Sequence, residues 1–597
     1  MSRIFEQLLA VRGVGRDFLA PKYEDCLEPE KLPEMQAAVA RIRQAVKNSE
    51  KVLIYGDYDV DGVTASTVMY RLLKFAGVSE AEVMLPNRFK DGYGMSEKVV
   101  EQAVSDGVGL VITVDCGSRN LEIVKELAEQ GIETIVTDHH ECGDELPEAV
   151  AVLNPKRMDV EVSAELRDLA GVGVAFKVAQ ALVKAGLIPV GREKWLLDLV
   201  LIGTICDSMR MTAENRRLCF YGMKVLEKTR WPGLKELLRV AGVKRLNGDA
   251  IGFQLGPRLN AAGRMDTAEK ALRLLMTEKR TEAAKLTMEL EKLNAERKRQ
   301  QRTAVEEIRK AGVGDEPVIV VDGEWHEGVI GIIAGRLVEE YKRPAFVFAR
   351  NDSVDVVIGP SDVSDLFVDK NHISAQTPYV ISTTNKSGLN LIMTSEDPTP
   401  TSNTNHLSQT LAPNILKGSG RSFGDFSLAE ALKACEEVII GGGGHAEACG
   451  VKVEAERLED FRRQMNEYYR GLKLKDQASF LAVQEDLAVR DLKELSLELV
   501  EELSQLEPFA EGNSEPVFLL PEVRVMEVAR LGADGEHLRI VVADDNGESL
   551  KLMQFFAPEE NLRIQPGGRA NVWIILSENE FRGGRSGEGR ILRLGAA

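Results

Sequence analysis

The stretch Lys51-Val-Leu-Ile-Tyr-Gly-Asp-Tyr-Asp-Val-Asp-Gly-Val-Thr64 constrains the fold more than any other. Val52, Leu53 and Ile54 are a short apolar run that reads as a buried strand. Three carboxylates follow at alternating positions, Asp57, Asp59 and Asp61, then Gly62, and residues 63–75 read as a helix. Three acids crowded at the end of one strand repel one another, so without compensation they would hold protons or force the site open. A multivalent cation is the direct compensation. Capping the helix accounts for one Asp at such a position, but not for three.

The pattern around this stretch alternates. Strand-like runs at 51–56, 81–86, 108–114, 133–137 and 150–153 are separated by helical stretches at 63–77, 96–106 and 119–131. Such alternation predicts a parallel sheet with helices on both faces, and ligands gather at the carboxyl ends of its strands. The polar residues fall there. The second run is followed by Pro86-Asn-Arg88 and Asp91-Gly-Tyr-Gly94, the third by Asp115-Cys-Gly-Ser118, the fourth by Asp138-His139-His140. Residues 165–240 read as largely helical, and Asp207 closes an apolar stretch within them. Acids are rarely buried unless paired or coordinating, which makes Asp207 a candidate final ligand, with helix capping as the alternative.

Next comes Gly256-Pro-Arg258-Leu-Asn-Ala-Ala-Gly-Arg264, read as a glycine-rich loop whose guanidinium forks suit phosphate. Residues 267–311 read as one long helical region, solvated where it is charged, from Glu291 to Lys310. A second α/β module opens at Pro317–Val321 and resumes at Leu416-Lys-Gly-Ser419-Gly-Arg421, ending in Gly441-Gly-Gly-Gly-His445. Glycine-rich turns carrying Ser419, Arg421 and His445 would present N–H groups and cations to an anion. Residues 351–416, rich in Ser, Thr and Asn, read as an insertion where a hairpin-length connection is expected; His372 and His406 within it have no ligand-like spacing. Residues 455–512 read as helical. Short strand-like runs after 517 predict a small β-barrel of the kind that binds single strands through aromatic and basic residues, with Phe555, Phe556 and Trp573 as stacking candidates or plain core.

The formal net charge of −19 lowers the expectation of a nucleic-acid partner without excluding it, because a channel needs only local cations. Seven scattered cysteines with no Cys-x-x-Cys argue against structural zinc and disulfides and fit a reducing cytoplasm. No apolar run has membrane-spanning length, and the first residues lack the apolar segment of a signal peptide.

Taken together, Tyr55-Gly-Asp-Tyr-Asp-Val-Asp-Gly62, Asp115-Cys-Gly117, Asp138-His-His140 and Cys206-Asp207 resemble the motifs of the DHH phosphoesterase superfamily. Pro86-Asn-Arg88, Gly256–Arg264, Gly418-Ser-Gly-Arg421-Ser422 and Glu578-Asn-Glu-Phe-Arg-Gly583 resemble signatures of its RecJ family, the single-strand-specific 5′→3′ exonucleases. Gly443-Gly-His445 resembles the motif of the companion DHHA1 domain. One departure is Tyr55, which stands where many superfamily members have a histidine.

The resemblance implies an α/β fold: an N-terminal segment (1–50), a parallel-sheet DHH domain (51–240), a phosphate-contacting loop and connecting helix (241–314), a second α/β DHHA1 domain (315–455), and a helical linker with an OB-fold barrel (456–597). It implies an enzyme that hydrolyses single-stranded DNA from its 5′ end to mononucleotides in repair and recombination. Asp57, Asp59, Asp61, Asp115, His139 and Asp207 would hold two divalent ions, and this donor set suits Mn²⁺ or Mg²⁺. Asp61, Asp115, His139 and His140 would carry catalysis, and Arg88, Arg258, Arg264, Ser419, Arg421 and His445 would bind substrate phosphates. A single-strand binding protein and a helicase are the partners it implies. The alternatives are a phosphodiesterase acting on short oligonucleotides or cyclic dinucleotides, and a DNA-binding scaffold without catalysis.

Overall fold

The computed structural model describes residues 1–92, 94–350, 414–474, 480, 483–532, 535–581 and 584–596, together with the backbone of 356–358, 379–382 and 390–391. Most of the insertion expected at 351–416, with His372 and His406, lies outside the described residues, as do Tyr93 and the end of the Glu578–Gly583 motif. The chain divides into two units, residues 1–294 with 482–597, and residues 295–481.

In the first unit the apolar runs form β1 (Val52–Tyr55), β2 (Ala81–Met84), β3 (Leu110–Val114), β4 (Glu133–Thr137) and β5 (Ala151–Leu153). They pair in parallel in the order β2-β1-β3-β4-β5. The order reverses between β1 and β3, and the crevice outside the carboxyl ends at such a point is where open α/β sheets place ligands. Helix Val60–Ala76 begins three residues earlier than expected, because Asp59 caps it: its Oδ1 accepts from Gly62 N at 3.0 Å. Helices Met35–Asn48 and Gly171–Lys184 pack on the sheet, helix Leu197–Cys206 packs on Val60–Ala76 and Gly171–Lys184, and all share its main core.

The second unit carries β6 (Ile319–Gly323) and β7 (Ala345–Ala349), then the short β8 (Val356–Ile358), β9 (Tyr379–Ser382) and β10 (Asn390–Leu391), and then β11 (Ile415–Arg421), β12 (Gly441–Gly444) and β13 (Ala448–Glu454). Its main sheet runs β12-β13-β11-β7-β6, so β7 and β11 are antiparallel neighbours, the relation a hairpin would give. The glycine-rich segments expected as turns are strands. A Cβ at Gly418 would lie 2.6 Å from Phe348 Cδ1, and one at Gly420 2.7 Å from Phe346 Cε1, so glycine is what lets β11 cross these buried rings. Helix Leu458–Gly471, expected in the linker, belongs here, with Phe461 edge-on to Phe346 and Phe348. The charged helix Arg280–Ala311, which bridges the units in sequence, is not wholly solvated: Asn294 and Arg297 are buried, as are Ala304, Val305 and Ile308. It is separate from helix Glu269–Met276, where one long helix was expected.

The C-terminal runs become β14 (Leu487–Ala488), β15 (Val517–Leu531), β16 (His537–Ala543), β17 (Ser549–Gln554), β18 (Arg569–Phe581) and β19 (Gly584–Ala596). The order β15-β16-β17-β19-β18 closes through β15–β18 pairing into a five-stranded barrel. The N-terminal segment is not one piece. Helix Arg3–Arg12 places Ile4, Phe5 and Leu8 in the barrel core, whereas helix Met35–Asn48 packs on the parallel sheet. No helix among the described residues is long and apolar enough to cross a membrane.

Candidate metal centre

The acids expected at the strand ends converge. Among the described residues, Asp57, Asp59 and Asp115 form one group with ligand atoms within 4.8 Å of one another; Asp61, His139 and Asp207 form a second, and Asp115, His139 and His140 a third. Asp57, Asp61, Asp115 and His139 are buried. Asp207 ends helix Leu197–Cys206 as its C-terminal cap, not an N-terminal one. His139 Nε2 lies 3.1 Å from Asp115 Oδ1, 3.5 Å from Asp207 Oδ2 and 3.8 Å from Asp61 Oδ2.

The carboxylates are held by main-chain donors that leave acceptor capacity over. Asp57 Oδ1 accepts from Tyr58 N at 2.8 Å, and Asp59 uses Oδ1 as the helix cap, so each keeps Oδ2 for another partner. Asp61 accepts from Gly171 N at 2.6 Å and Val172 N at 2.9 Å. Asp115 sits in the left-handed backbone region with φ 60° and is pinned by its own N–H to the Thr137 carbonyl at 2.9 Å.

Burial, with Asp59 beside each, raises Asp57 to about 8 and Asp61 to about 7. Asp115 and Asp207 are raised for the same reason, burial first and neighbouring carboxylates second. Burial drops His139 to about 3, which makes it a neutral imidazole. Asp115 Oδ1 and His139 Nε2 are buried and make no hydrogen bond of proper geometry despite their proximity. Orphaned buried acceptors, carboxylates that cannot all ionise, and a neutral imidazole are the donor chemistry of a divalent-cation site, so these residues fit the ions.

Asp138 is different. Its Oδ1 accepts from His139 N at 2.7 Å and His140 N at 3.1 Å and lies 2.9 Å from His140 Nδ1, while Oδ2 accepts from Ser118 N at 3.0 Å. Burial alone would raise this carboxyl, but the bonds and charge of His140 hold it well below the usual range. Burial likewise opposes charge on His140, yet Asp138 raises it to about 9. Asp138 therefore anchors the two histidines, and His140 is a cation facing the centre. Asn154 at the end of β5 braces them, donating to Ser118 Oγ at 2.8 Å and the His140 carbonyl at 2.9 Å. Tyr55 cannot replace the missing histidine ligand, because its buried hydroxyl donates to the Gly94 carbonyl at 2.9 Å.

Among the expected phosphate ligands, Arg88 lies over the Tyr58 ring at 5.0 Å, beside the acidic loop. Arg258 and Arg264 sit on helix Gly256–Met265 rather than in a loop. Gly263 packs this helix on the loop, since a Cβ there would lie 2.7 Å from the Tyr58 carbonyl oxygen. Arg258 donates to both carboxylate oxygens of Glu291, at 2.6 and 3.3 Å, and to the Gln254 carbonyl at 2.7 Å. In the second unit, Arg421 Nη1 donates to Ser419 Oγ at 3.3 Å, both next to Gly331 in the first turn of helix Ile330–Tyr341. His445 follows β12, and its N–H donates to Ala448, the residue paired with Arg421. Sequence reasoning missed Gly171, Val172 and Asn154, which carry no charge and no periodicity that marks them, and placed Ser118 at a strand end without a role.

A parallel sheet with this acid and histidine rim defines the class: the model of the DHH family, N-terminal domain, matches residues 51–204, the DHHA1 domain matches 395–471 and the RecJ OB domain matches 488–591. The chain is 30% identical to the single-stranded-DNA-specific exonuclease RecJ of Thermus thermophilus over 92% of this chain and 69% of that protein. It is 32% identical to the RecJ of Bacillus subtilis over 96% of this chain, and spans 65% of that relative's length. The crystal structure of Thermus thermophilus RecJ in complex with Mn²⁺ superposes with a TM-score of 0.75 at 26% identity, covering 99% of this chain and 78% of that one. The chain belongs to the RecJ family.

Proposed function

We propose that this protein is a metal-dependent exonuclease that hydrolyses single-stranded DNA from the 5′ end. The observation that carries the reading is the convergence of Asp57, Asp59, Asp61, Asp115, His139 and Asp207 at the switch point of the sheet, with buried ligand atoms left unbonded. Two ions held there, Mn²⁺ or Mg²⁺, would supply the Lewis acid that activates water and offsets charge on the leaving oxygen. His140, a cation held by Asp138, stabilises negative charge on the phosphoryl group. Arg88 and Arg264 in the first unit, and Ser419, Arg421 and His445 in the second, bind substrate phosphates. Arg258 joins them on leaving Glu291.

The barrel extends the binding surface. Phe555 and Phe556 are 58% and 71% exposed, so they are not core, and His537 lies edge-on to both rings at 5.4 and 4.8 Å. The β16–β17 register sets Arg539 beside Met553 and Val541 beside Lys551 on the outer face, which leads toward Phe555. Aromatic rings flanked by cations suit a single strand, and this platform favours long strands over dinucleotides. The same reading places the enzyme in the cytoplasm, in repair and recombination, with a single-strand binding protein and a helicase presenting the strand.

The test is degradation of 5′-phosphorylated DNA of graded length with Mn²⁺ or Mg²⁺. Expected are 5′-mononucleotides from long single strands, inactive duplex, and loss of activity in Asp61→Ala and Asp115→Ala. A preference for dinucleotides, or unchanged activity in both variants, overturns the reading.

A further inference from the structure

We infer that Gly171 and Val172 are positioning residues of the metal centre: the N–H groups opening helix Gly171–Lys184 hold Asp61 in its ligating pose, and the absent side chain of Gly171 makes room for Asp115 beside it. The inference rests on the reading that Asp61 and Asp115 hold divalent ions.

The geometry is specific. Each oxygen of Asp61 receives one main-chain N–H, from Gly171 at 2.6 Å and from Val172 at 2.9 Å. First-turn amides have no acceptor inside their own helix, so a carboxylate there satisfies them and meets the positive end of the dipole. An ionised carboxylate has about four lone-pair sites, so two bonds leave room for a cation. The pair of bonds fixes the plane of the carboxylate, which a single rotatable side chain on helix Val60–Ala76 could not do alone.

Gly171 also sets a distance. A Cβ built there would lie 2.5 Å from Asp115 Oδ1 and 2.8 Å from Asp115 Cα. Asp115 cannot retreat, because its backbone is held at φ 60° by the bond to Thr137. Gly203 closes the opposite side: its Cβ would meet Thr64 Oγ1 and lie 2.8 Å from Asp61 Oδ1. By contrast, a Cβ at Gly173 in the same turn would meet only the Leu169 side chain, at 3.0 Å, where a methyl group can move aside.

The test measures Mn²⁺ binding to the full chain by calorimetry and electron paramagnetic resonance, without substrate. Gly171→Ala should weaken Mn²⁺ binding about 10- to 100-fold, the range for groups that orient metal ligands, while Gly173→Ala binds as the wild type does. A second measurement needs no metal. In the metal-free protein the amides of Gly171 and Val172 should resist hydrogen exchange, and Asp61→Ala should release them while the rest of the helix stays protected. Wild-type Mn²⁺ affinity in Gly171→Ala, or exchange at these amides unaltered by Asp61→Ala, overturns the proposal. A wild-type chain that binds no Mn²⁺ overturns the metal reading instead, and the exchange experiment tells the two failures apart.

Discussion

Asp138 Oδ1 lies 2.9 Å from His140 Nδ1, and both remaining hydrogen bonds of that oxygen go to the backbone of the same two histidines. The carboxylate that stands beside the candidate ligand His139 in sequence is thus an anchor for both histidines. Asp138→Asn keeps the shape and removes the charge that makes His140 a cation. The expected result is a kcat lower by about 100-fold or more with a much smaller change in KM, read from steady-state kinetics on single-stranded DNA. An unchanged kcat would show that His140 acts without its charge.

The aromatic pair on the barrel gives a separate prediction about binding. Phe555→Ala and Phe556→Ala should each weaken affinity for long single strands by about 1–3 kcal/mol while leaving hydrolysis of a short 5′-phosphorylated oligonucleotide intact. Lys551→Ala should instead lower the salt dependence of binding by about one unit of slope. Fluorescence anisotropy across a salt series separates the two effects.

Phe5 is wholly buried in the barrel core although it lies at the opposite end of the chain. Arg12 fastens the same helix to Asp486 with bonds of 2.7 and 2.9 Å. Phe5→Ala should cost about 3–5 kcal/mol in the unfolding of the barrel, read from Trp573 fluorescence in a chain whose other three tryptophans are replaced by Phe. Urea unfolding measures it, and a loss below 1 kcal/mol (roughly the value of a surface change) would place the helix outside the core.

Asp198 titrates away from the catalytic centre. It is buried, which raises its carboxyl to about 6, against the bonds from Thr229 Oγ1 at 2.7 Å and Leu199 N at 2.9 Å. The unfolded chain returns it to the ordinary value near ~3.9. The folded pKa is the higher, so folding favours the protonated form. That stability is fully present below the unfolded value and is lost as the pH rises through about 6. The span corresponds to about 3 kcal/mol. The stability of Asp198→Asn relative to wild type should therefore rise between about pH 4 and pH 6–7 and then level off, in metal-free urea titrations.

The strand-end residues were legible because each follows a local rule. An apolar run of four or five residues makes a strand, and whatever polar residue follows it stands at the rim. Asp57, Asp115 and His139 could be placed that way without knowing any contact. Asp59 shows the limit of choosing between readings, since capping the helix occupies one oxygen and leaves the other available to an ion. Glycines usually mark a turn, which is what the sequence predicts around Ser419 and Arg421, but here the glycines clear buried rings inside a strand. Arg258 is identifiable as a cation from its letter alone, while its pairing with Glu291 is not.

By itself, then, the order of residues determined the parallel sheet, the barrel and the candidate ligands at the strand ends, since strand period, helix period and the polar residue after each run are local properties. The tertiary structure alone decided which carboxylate is an anchor, why Gly171 has no side chain, and that residues 3–12 complete a barrel built from residues beyond 480. Those outcomes depend on atoms far apart in the chain meeting at van der Waals distance. No local pattern records such meetings, because a glycine that clears a carboxylate and a glycine in a loop are written with the same letter.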